Sequence, residues 1–423
     1  MNTHVTERFV FVFVSNYLNH HQIPFCNAMY ELCKGSFVFV QTEPVEEERI
    51  RMGWAEKVQQ PYLKLYYEEE EACKHLISEA HIVMFGGCED ESYIAGRLKE
   101  GKAVIRYSER LYKTGQWKAV SPRGLKKKYY DHTKYRKSPV YLLCAGAYVP
   151  SDFAIVRSYP EKMFCWGYFP ETKHYDVDRL LAEKGWAGAG GIPYILWAAR
   201  MIDWKHPELP METAGYLKSR GLSFHMDIIG GGDMEEQMQA LRAEYGLEEE
   251  VSFLGFMPPP QVREYMERAD IFLFTSDRQE GWGAVANEAM NSGCALIANH
   301  MIGAVPYLVK DGENGLIYRD RNREELFALA EKLVKNRELC ARLGRNAYRT
   351  ITEVWNAENA AKSLCELCRG LGLADGADIG GSPESRSRVP GKADGGFIPA
   401  PCVPAAVIPE RKMYALLKKE KRQ

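Results

Sequence analysis

The sequence predicts an α/β protein made of two doubly wound domains that face each other across a cleft. Short apolar segments with the character of buried strands alternate with helical patterns, which is typical of parallel sheets covered by helices. The chain has 423 residues, and at about 100–200 residues per domain this length predicts two or three domains. Two such units leave a cleft at the carboxyl ends of their strands, where sheets of this kind bind ligands.

Apolar segments of strand character fall into two groups along the chain. The first group is Phe9–Val14, Phe37–Val40, His81–Phe85, Ala103–Ile105 and Val140–Cys144. The second group is Ile192–Ala198, Ser223–Ile229, Ser252–Leu254, Ile271–Phe274 and Ala295–Ala298. Between the last two segments, a helix is predicted over Ala284–Ser292.

These groups define the predicted domains. We place a first Rossmann-like domain at residues 1–165 and a second at 192–369, joined by a linker at 166–191 that ends in a glycine-rich run. Residues 370–423 form a tail that is rich in Gly, Pro, Ala and Ser up to residue 409, which predicts disorder. A short basic helix is predicted at its end, from Arg411 to Arg422.

Composition excludes several classes of protein. Apolar residues make up 46% and charged residues 26% of the chain, an ordinary globular balance. The 55 Lys and Arg nearly balance the 57 Asp and Glu, so the net charge gives no reason to expect a nucleic-acid partner. No apolar run is long enough for a signal peptide or a membrane span, and the 11 cysteines fit reduced thiols. We therefore expect a cytoplasmic protein.

The segment Asp270–Gly293 carries the sharpest chemical signal. An apolar strand is followed by Glu280-Gly281-Trp282-Gly283 and then by a helix that contains Glu288. Glycines at a strand-to-helix turn let backbone amides approach a ligand, and a helix start favours negative charge. The pattern predicts a diphosphate site between two carboxylates, of which Glu288 can hold ribose hydroxyls. Two solvated glutamates beside a capped helix are the alternative.

Two cations follow the first strand of the second group. Arg200 and Lys205 lie just beyond Ile192–Ala198. Cations fixed there can neutralise the charge that a diphosphate leaving group gains as its bond breaks. A pair of surface charges is the alternative. The glycine run Gly230–Gly232 follows the next strand, and by itself it indicates no more than a tight turn.

Several motifs in this order resemble the family 4, or "group 1", retaining glycosyltransferases of the GT-B fold, which include bacterial surface-polysaccharide glycosyltransferases. The resemblance covers roughly residues 8–365. The segments that carry it are Arg200 and Lys205, Gly230–Gly232, Leu254-Gly255-Phe256, Glu280 with Glu288, Asp311–Leu316 and Trp355-Asn356.

The resemblance implies transfer of a sugar from a nucleotide-sugar donor, bound by the second domain, to an acceptor bound by the first. It implies that Arg200 and Lys205 hold the diphosphate and that Glu288 holds the ribose. Glu280 and the amides of Gly281, Trp282 and Gly283 would contact the donor sugar, and the backbone near Phe256 and Met257 would meet the base. Gly231 is also assigned to donor binding.

The first domain departs from the family pattern in two places. Where many relatives have a Gly-Gly loop after the first strand, this chain has His20 and His21, and the strand end Arg106–Arg110 lacks the histidine that many relatives carry. His20 or His21 could donate to a sugar hydroxyl or a phosphate, or the pair could close a turn. Arg106, Glu109 or Arg110 could orient the acceptor.

We expect neither a metal nor a further cofactor beside the UDP- or GDP-linked donor. The sequence Asp176-Val177-Asp178 resembles a metal-binding DxD motif, but it follows no buried strand and is expected to begin a helix.

Residues 102–137 contain twelve Lys or Arg and two acids, with interleaved aromatics. Such a patch attracts anionic lipid headgroups. This predicts peripheral binding to the inner face of the cell membrane and a glycan or lipid-diphosphate-linked acceptor, with a solvated basic face as the alternative. No signature of nucleic-acid binding accompanies the patch.

The sequence therefore predicts a retaining hexosyltransferase that uses a nucleotide sugar, in polysaccharide biosynthesis. A sugar-nucleotide 2-epimerase of the same architecture is one alternative, and a non-catalytic nucleotide-sugar-binding subunit is the other. The donor base, the sugar, the linkage and the oligomeric state are not specified by the sequence.

Overall fold

The structure, a computed structural model, describes residues 9–46, 50, 58–186, 191–374 and 399–419. These residues form two parallel sheets with hydrophobic side chains packed on both faces of each sheet. In the first strand, Phe11 and Phe13 join one core cluster while Val12 and Val14 join another on the opposite face. Burial on both faces explains why the strands are continuous apolar runs. The predicted α/β fold of two doubly wound units is confirmed.

The first sheet has seven strands. In chain order they are β1 (Phe11–Ser15), β2 (Phe37–Gln41), β3 (Leu63–Leu65), β4 (Ile82–Phe85), β5 (Val104–Ser108), β6 (Val140–Ala145) and β7 (Met163–Trp166). They lie in the order β3-β2-β1-β4-β5-β6-β7. The helices of this half are α1 (Ile23–Leu32), α2 (Glu70–Glu79), α3 (Ser92–Glu100), α4 (Pro122–Asp131) and α5 (Val149–Ile155).

The second sheet has six strands. They are β8 (Tyr194–Ala198), β9 (His225–Ile229), β10 (Val251–Gly255), β11 (Ile271–Phe274), β12 (Ala295–Asn299) and β13 (Leu316–Tyr318), in the order β10-β9-β8-β11-β12-β13. The helices are α6 (Val177–Glu183), α7 (Glu208–Ser219), α8 (Glu235–Glu244), α9 (Pro259–Arg268), α10 (Val285–Asn291), α11 (Val305–Leu308), α12 (Arg323–Val334), α13 (Arg337–Arg349) and α14 (Ala357–Gly370).

The two halves are joined by direct contacts at their strand ends. The backbone N–H of Ala147 donates to the Gly303 carbonyl at 2.9 Å, and the Tyr148 hydroxyl donates to the His300 carbonyl at 2.5 Å. After the second sheet, α14 returns to pack against α1. One cluster of buried hydrophobic residues includes side chains from both halves. We call this continuous apolar contact between the halves the seam.

The end of the chain corrects the expectation of disorder for residues 370–409. Residues 375–398 lie outside the described part, but residues 399–409 are ordered. Cys402 donates its N–H to the Cys165 carbonyl at 2.8 Å, and Phe164 forms a bridge with Pro404. The reason is that β7 is an edge strand with unpaired backbone groups, which this segment satisfies. A final helix, α15, spans Glu410–Lys419.

Among the described helices, none combines the length and apolar character that a bilayer crossing requires.

Candidate functional site

A cavity of about 350 Å³ lies between the two halves at the carboxyl ends of their strands. We call it the cleft cavity. Histidines from the loop after β1 line one side, and residues from the loops after β8, β10 and β11 line the other. Nine of the twelve predicted site residues line it: His20, His21, Arg200, Lys205, Phe256, Met257, Glu280, Gly283 and Glu288. Gly231, Gly281 and Trp282 do not appear in its lining.

Lys205 is held in place by a chain of two hydrogen bonds from the second sheet. The Trp197 indole N–H donates to Thr275 Oγ1 at 2.8 Å, and Thr275 Oγ1 donates to the Lys205 carbonyl at 2.7 Å. The Lys205 ammonium forms an ion pair with Glu280 and lies 4.3 Å from the centre of the Trp204 ring. Cation and carboxylate therefore share one wall of the cleft cavity.

Arg200 follows β8 and reaches solvent. Its side chain is exposed, and its guanidinium has no hydrogen-bond or ion-pair partner within the described residues. The backbone around it is fixed by the N–H of Met201, which donates to the Gly231 carbonyl at 2.8 Å. Gly230 must be a glycine, because an added Cβ would lie 1.9 Å from the Ala199 carbonyl oxygen. The glycine run thus supports the loop that carries Arg200.

The turn before α10 presents backbone donors to the cleft cavity. Gly283, Ala284 and Val285 line it, and their N–H groups donate to no acceptor in the part of the chain that the structure describes. Gly283 has a φ of 92° and packs closely on Phe274, where an added Cβ would lie 2.4 Å from the ring. Free donors beside two cations make this wall strongly attractive to anions.

Gly281 and Trp282 lie in the seam between the halves instead. An added Cβ on Gly281 would lie 2.0 Å from the Glu109 carboxylate of the first domain. Trp282 is fully buried and donates its indole N–H to Asn287 Oδ1 at 2.9 Å. The resemblance assigns the backbone amides of these two residues to the donor sugar, and that assignment stays a prediction, because the contacts above involve the Gly281 Cα position and the Trp282 side chain.

Glu288 points from α10 into the cleft cavity, where it is partly buried. Burial raises its pKa from 4.5 to about 7, and the nearby charge of Arg263 acts in the opposite direction. Arg263 itself is buried and bonded to the amide oxygen of Asn291. At neutral pH the carboxyl is therefore close to its titration point.

The two histidines form the first-domain wall. Their ring centres are 3.8 Å apart, and His21 stacks on Tyr168 with an interplanar angle of 13°. Burial lowers the pKa of His20 to about 4, so its ring is neutral at physiological pH and can both donate and accept hydrogen bonds.

A second cavity, the first-domain cavity, adjoins this wall. It has a volume of about 420 Å³ and is bounded by the ends of β4 and β5 and by α4. Tyr168 lines it and donates its hydroxyl to Glu109 Oε1 at 2.7 Å. Glu109 also lines this cavity, and it lies against Gly281 of the second domain.

The other two candidates from this strand end have structural partners. Arg106 lines the first-domain cavity but forms a bidentate pair with Glu91, with both distances 2.6 Å. Arg110 is buried in the seam, where it bonds Glu410 at 2.7 Å.

Some functional positions carried no signal in the sequence. Glu46 lines the cleft cavity, and Trp197 and Thr275 set the position of Lys205. These residues lie in separate segments and meet only in the fold, so no local spacing predicts them.

The DxD-like sequence begins α6, as expected. Asp176 accepts the N–H of Arg179 as a helix cap, and Asp178 bonds the guanidinium of Arg345. No cluster of three or more metal-ligating side chains occurs among the described residues.

Residues 183–350 match the family model described as glycosyl transferases group 1. The chain is 28% identical over 182 residues to the amylovoran biosynthesis glycosyltransferase AmsK of Erwinia amylovora, covering 42% of this chain and 44% of AmsK. It is 26% identical over 204 residues to the alpha-D-kanosaminyltransferase of Streptomyces kanamyceticus, covering 48% of this chain and 52% of that protein. The chain thus spans about half the length of these relatives.

Among solved structures, HepE of Anabaena in complex with UDP has the same fold. It superposes with a TM-score of 0.61 over 85% of this chain and 99% of HepE, at 14% sequence identity.

Proposed function

We propose, on the premise that residues 183–350 belong to the group 1 glycosyl transferases and that the chain has the GT-B fold, that this protein is a glycosyltransferase of polysaccharide biosynthesis. It moves a hexose-type sugar from a nucleotide-sugar donor to a glycan or lipid-linked acceptor, with retention of configuration. One observation carries the proposal: the free amides of Gly283, Ala284 and Val285 line the same cavity as Arg200 and Lys205.

The diphosphate of the donor lies against this wall. Backbone N–H groups at a helix start and two side-chain cations are complementary to its negative charge. When the bond between the anomeric carbon and the diphosphate oxygen breaks, the leaving group gains charge, which Arg200 and Lys205 neutralise in place. Because these two cations supply the positive charge, we expect the transfer to need no metal ion.

The nucleoside lies toward Glu288 and Phe256. Glu288 accepts hydrogen bonds from the ribose hydroxyls, since a carboxylate offers two acceptor oxygens to a diol. The Phe256 ring is 54% exposed although it lines a cavity, which supports its use as a stacking surface for the base, beside Met257.

The donor sugar lies next to Glu280 and the histidines. Glu280 is paired with Lys205 in the absence of a donor, so the diphosphate competes for the ammonium and leaves the carboxylate to accept sugar hydroxyls. His20 is neutral and can donate to a hydroxyl or a phosphate from the opposite wall. The acceptor hydroxyl attacks on the face of the leaving diphosphate, whose oxygen takes its proton.

The acceptor occupies the first-domain cavity, beside Glu109. This carboxylate touches the turn at Gly281 and is fixed by the Tyr168 hydroxyl and by Lys113, which bonds it at 2.6 Å. The cavity of about 420 Å³ has room for a sugar ring, and its mixed carboxylate and amine lining suits hydroxyl recognition.

A panel of nucleotide sugars, screened by thermal shift and then incubated with and without glycan or lipid-linked acceptors, tests the proposal. A shift with one donor and transfer only in the presence of an acceptor support it. A new sugar nucleotide formed from the donor alone would instead identify an epimerase. Donor binding without turnover across a broad acceptor panel would indicate a binding subunit.

A further inference from the structure

The connection between β5 and β6 projects from the first domain between two anchored ends. At its start, Gln116 donates its amide to Asp152 Oδ1 at 2.8 Å. At its end, a hydrogen bond of 2.8 Å joins His132 Nδ1 to the Tyr159 hydroxyl. Between these anchors lies α4, in which no residue is buried. Ala119, which precedes α4, is buried in a small cluster with Tyr112 and Val156. The helix itself is therefore a surface element.

This element exposes an unusual share of apolar side chains. Five of the eleven exposed large hydrophobic residues of the described chain fall within residues 117–130. Trp117 is 70% exposed and Val120 78% exposed. The others are Leu125, Tyr129 and Tyr130. Trp117 and Val120 lie in the turn before α4, and the other three lie in α4. An exposed apolar cluster of this kind marks a contact surface.

The same stretch is strongly basic. Residues 117–130 contain five Lys or Arg and no acid, although the whole chain has a net charge of −2. The basic residues are Lys118, Arg123, Lys126, Lys127 and Lys128. We call residues 117–130 the basic-aromatic surface. A partner of this surface must both carry negative charge and bind apolar side chains.

We propose that the basic-aromatic surface docks on an anionic lipid bilayer. Lysines and arginines are attracted to acidic headgroups, while Trp117, Tyr129 and Tyr130 suit the interfacial region. The aliphatic side chains of Val120 and Leu125 favour a bilayer over a nucleic acid, because they enter the acyl boundary but offer no stacking surface to a base. The docking does not depend on the proposed donor site, since it uses no residue of the cleft cavity.

The basic-aromatic surface lies beside the first-domain cavity. Lys127 and Lys128 line the first-domain cavity as well as belonging to α4. A docked bilayer therefore stands at the edge of that cavity, and a lipid-borne molecule can reach it without leaving the membrane.

Vesicle sedimentation of the full chain tests the proposal. We expect binding to phosphatidylcholine vesicles that contain phosphatidylglycerol, loss of binding on pure phosphatidylcholine, and weakening as salt rises from about 50 to about 500 mM. The triple variant K118E/R123E/K126E should bind at least about tenfold more weakly. The control K99E/K332E/K362E makes the same change in net charge at exposed sites elsewhere and should bind like the unaltered chain.

Three outcomes would overturn the proposal. One is no binding to anionic vesicles even at low salt. Another is equal loss in the two triple variants, which would show that net charge alone matters. The third is binding to single-stranded RNA but not to vesicles, which would make this a nucleic-acid surface. Binding of nucleotide sugar, measured on the same samples, separates these outcomes from a failure of the proposed function.

Discussion

The Lys205 ammonium and the Glu280 carboxylate form an ion pair inside the cleft cavity, with 14% and 12% of their side chains exposed. The pair joins the loop after β8 to the turn before α10. In the proposed reaction the two groups have different roles. The Lys205 ammonium binds the diphosphate, and the Glu280 carboxylate accepts hydrogen bonds from the sugar hydroxyls.

Removing either member of this pair should abolish most of the activity. We expect K205A and E280A each to lower turnover by about 10²- to 10³-fold, as for the loss of a group that stabilises transition-state charge. K205A should also weaken binding of the nucleoside diphosphate, whereas E280A should not. Steady-state kinetics and calorimetry measure both effects, with circular dichroism to confirm folding. Turnover close to normal in both variants would refute these roles.

Glu288 should make donor binding depend on pH. Its pKa of about 7 means that it gains a proton as the pH falls below neutrality, and a neutral carboxyl is a weaker acceptor for the ribose. We expect the donor Kd to rise about tenfold from pH 8 to pH 6, and the variant E288Q to show no such change. Calorimetry with a nucleotide sugar measures this, and a flat profile in the unaltered chain would contradict it.

The Glu288 carboxyl should also lower the free energy of unfolding as the pH rises from 4.5 to above 7. Because its folded pKa exceeds its unfolded pKa of 4.5, the folded state binds more protons between pH 4.5 and about 7, so the free energy of unfolding falls as pH rises through that window. E288Q removes this loss and should stabilise the protein by up to roughly 3 kcal/mol at pH 8, at 1.36 kcal/mol per pKa unit. At pH 4.5 the difference should vanish. Urea unfolding of E288Q and of the unaltered chain at pH 8 and pH 4.5 measures this difference, and an equal difference at both pH values would contradict the prediction.

Gly283 should not tolerate a side chain. In G283A the new methyl group would lie 2.4 Å from the Phe274 ring, at a φ of 92° that disfavours alanine. We expect a loss of roughly 1–3 kcal/mol in stability and a large fall in donor affinity. G96A is the matched control, because Gly96 lies in α3 with nothing within 4 Å of the added Cβ. That change should stabilise by about 0.5–1 kcal/mol. Equal effects of the two substitutions would disprove the steric argument.

Transfer should not require a divalent cation. Arg200 and Lys205 line the cleft cavity and would supply the charge for the leaving group. We therefore expect full turnover in excess EDTA. Loss of turnover in EDTA, restored by Mn²⁺, would contradict this assignment and indicate metal-assisted departure of the diphosphate.

Local patterns predicted the framework of the molecule. Each of the ten predicted apolar segments overlaps an observed strand, although several strands run one to three residues beyond the prediction, and the helix predicted over Ala284–Ser292 forms over Val285–Asn291. The short strands β3, β7 and β13 were not predicted, since three or four residues carry too little periodicity to stand out.

Contacts between distant segments could not be predicted. The carboxylate of Glu410 bonds both Arg110 and Arg278, so the end of the chain joins the two halves. The composition of residues 370–409 predicted disorder. The pairing of residues 402–405 with the edge strand β7 could not be predicted, because it leaves no sign in the composition. In the same way, no local spacing predicted that Glu109 of the first domain would lie against Gly281, whose amide the resemblance assigns to the donor sugar.

A crystal structure of the chain with a bound nucleoside diphosphate would show whether the diphosphate lies at the start of α10. We expect diphosphate oxygens within hydrogen-bond distance of the Gly283, Ala284 and Val285 amides, with Arg200 and Lys205 beside them and Glu288 on the ribose. A diphosphate bound away from the start of α10, with Glu280 and Glu288 both remote from the ligand, would contradict it.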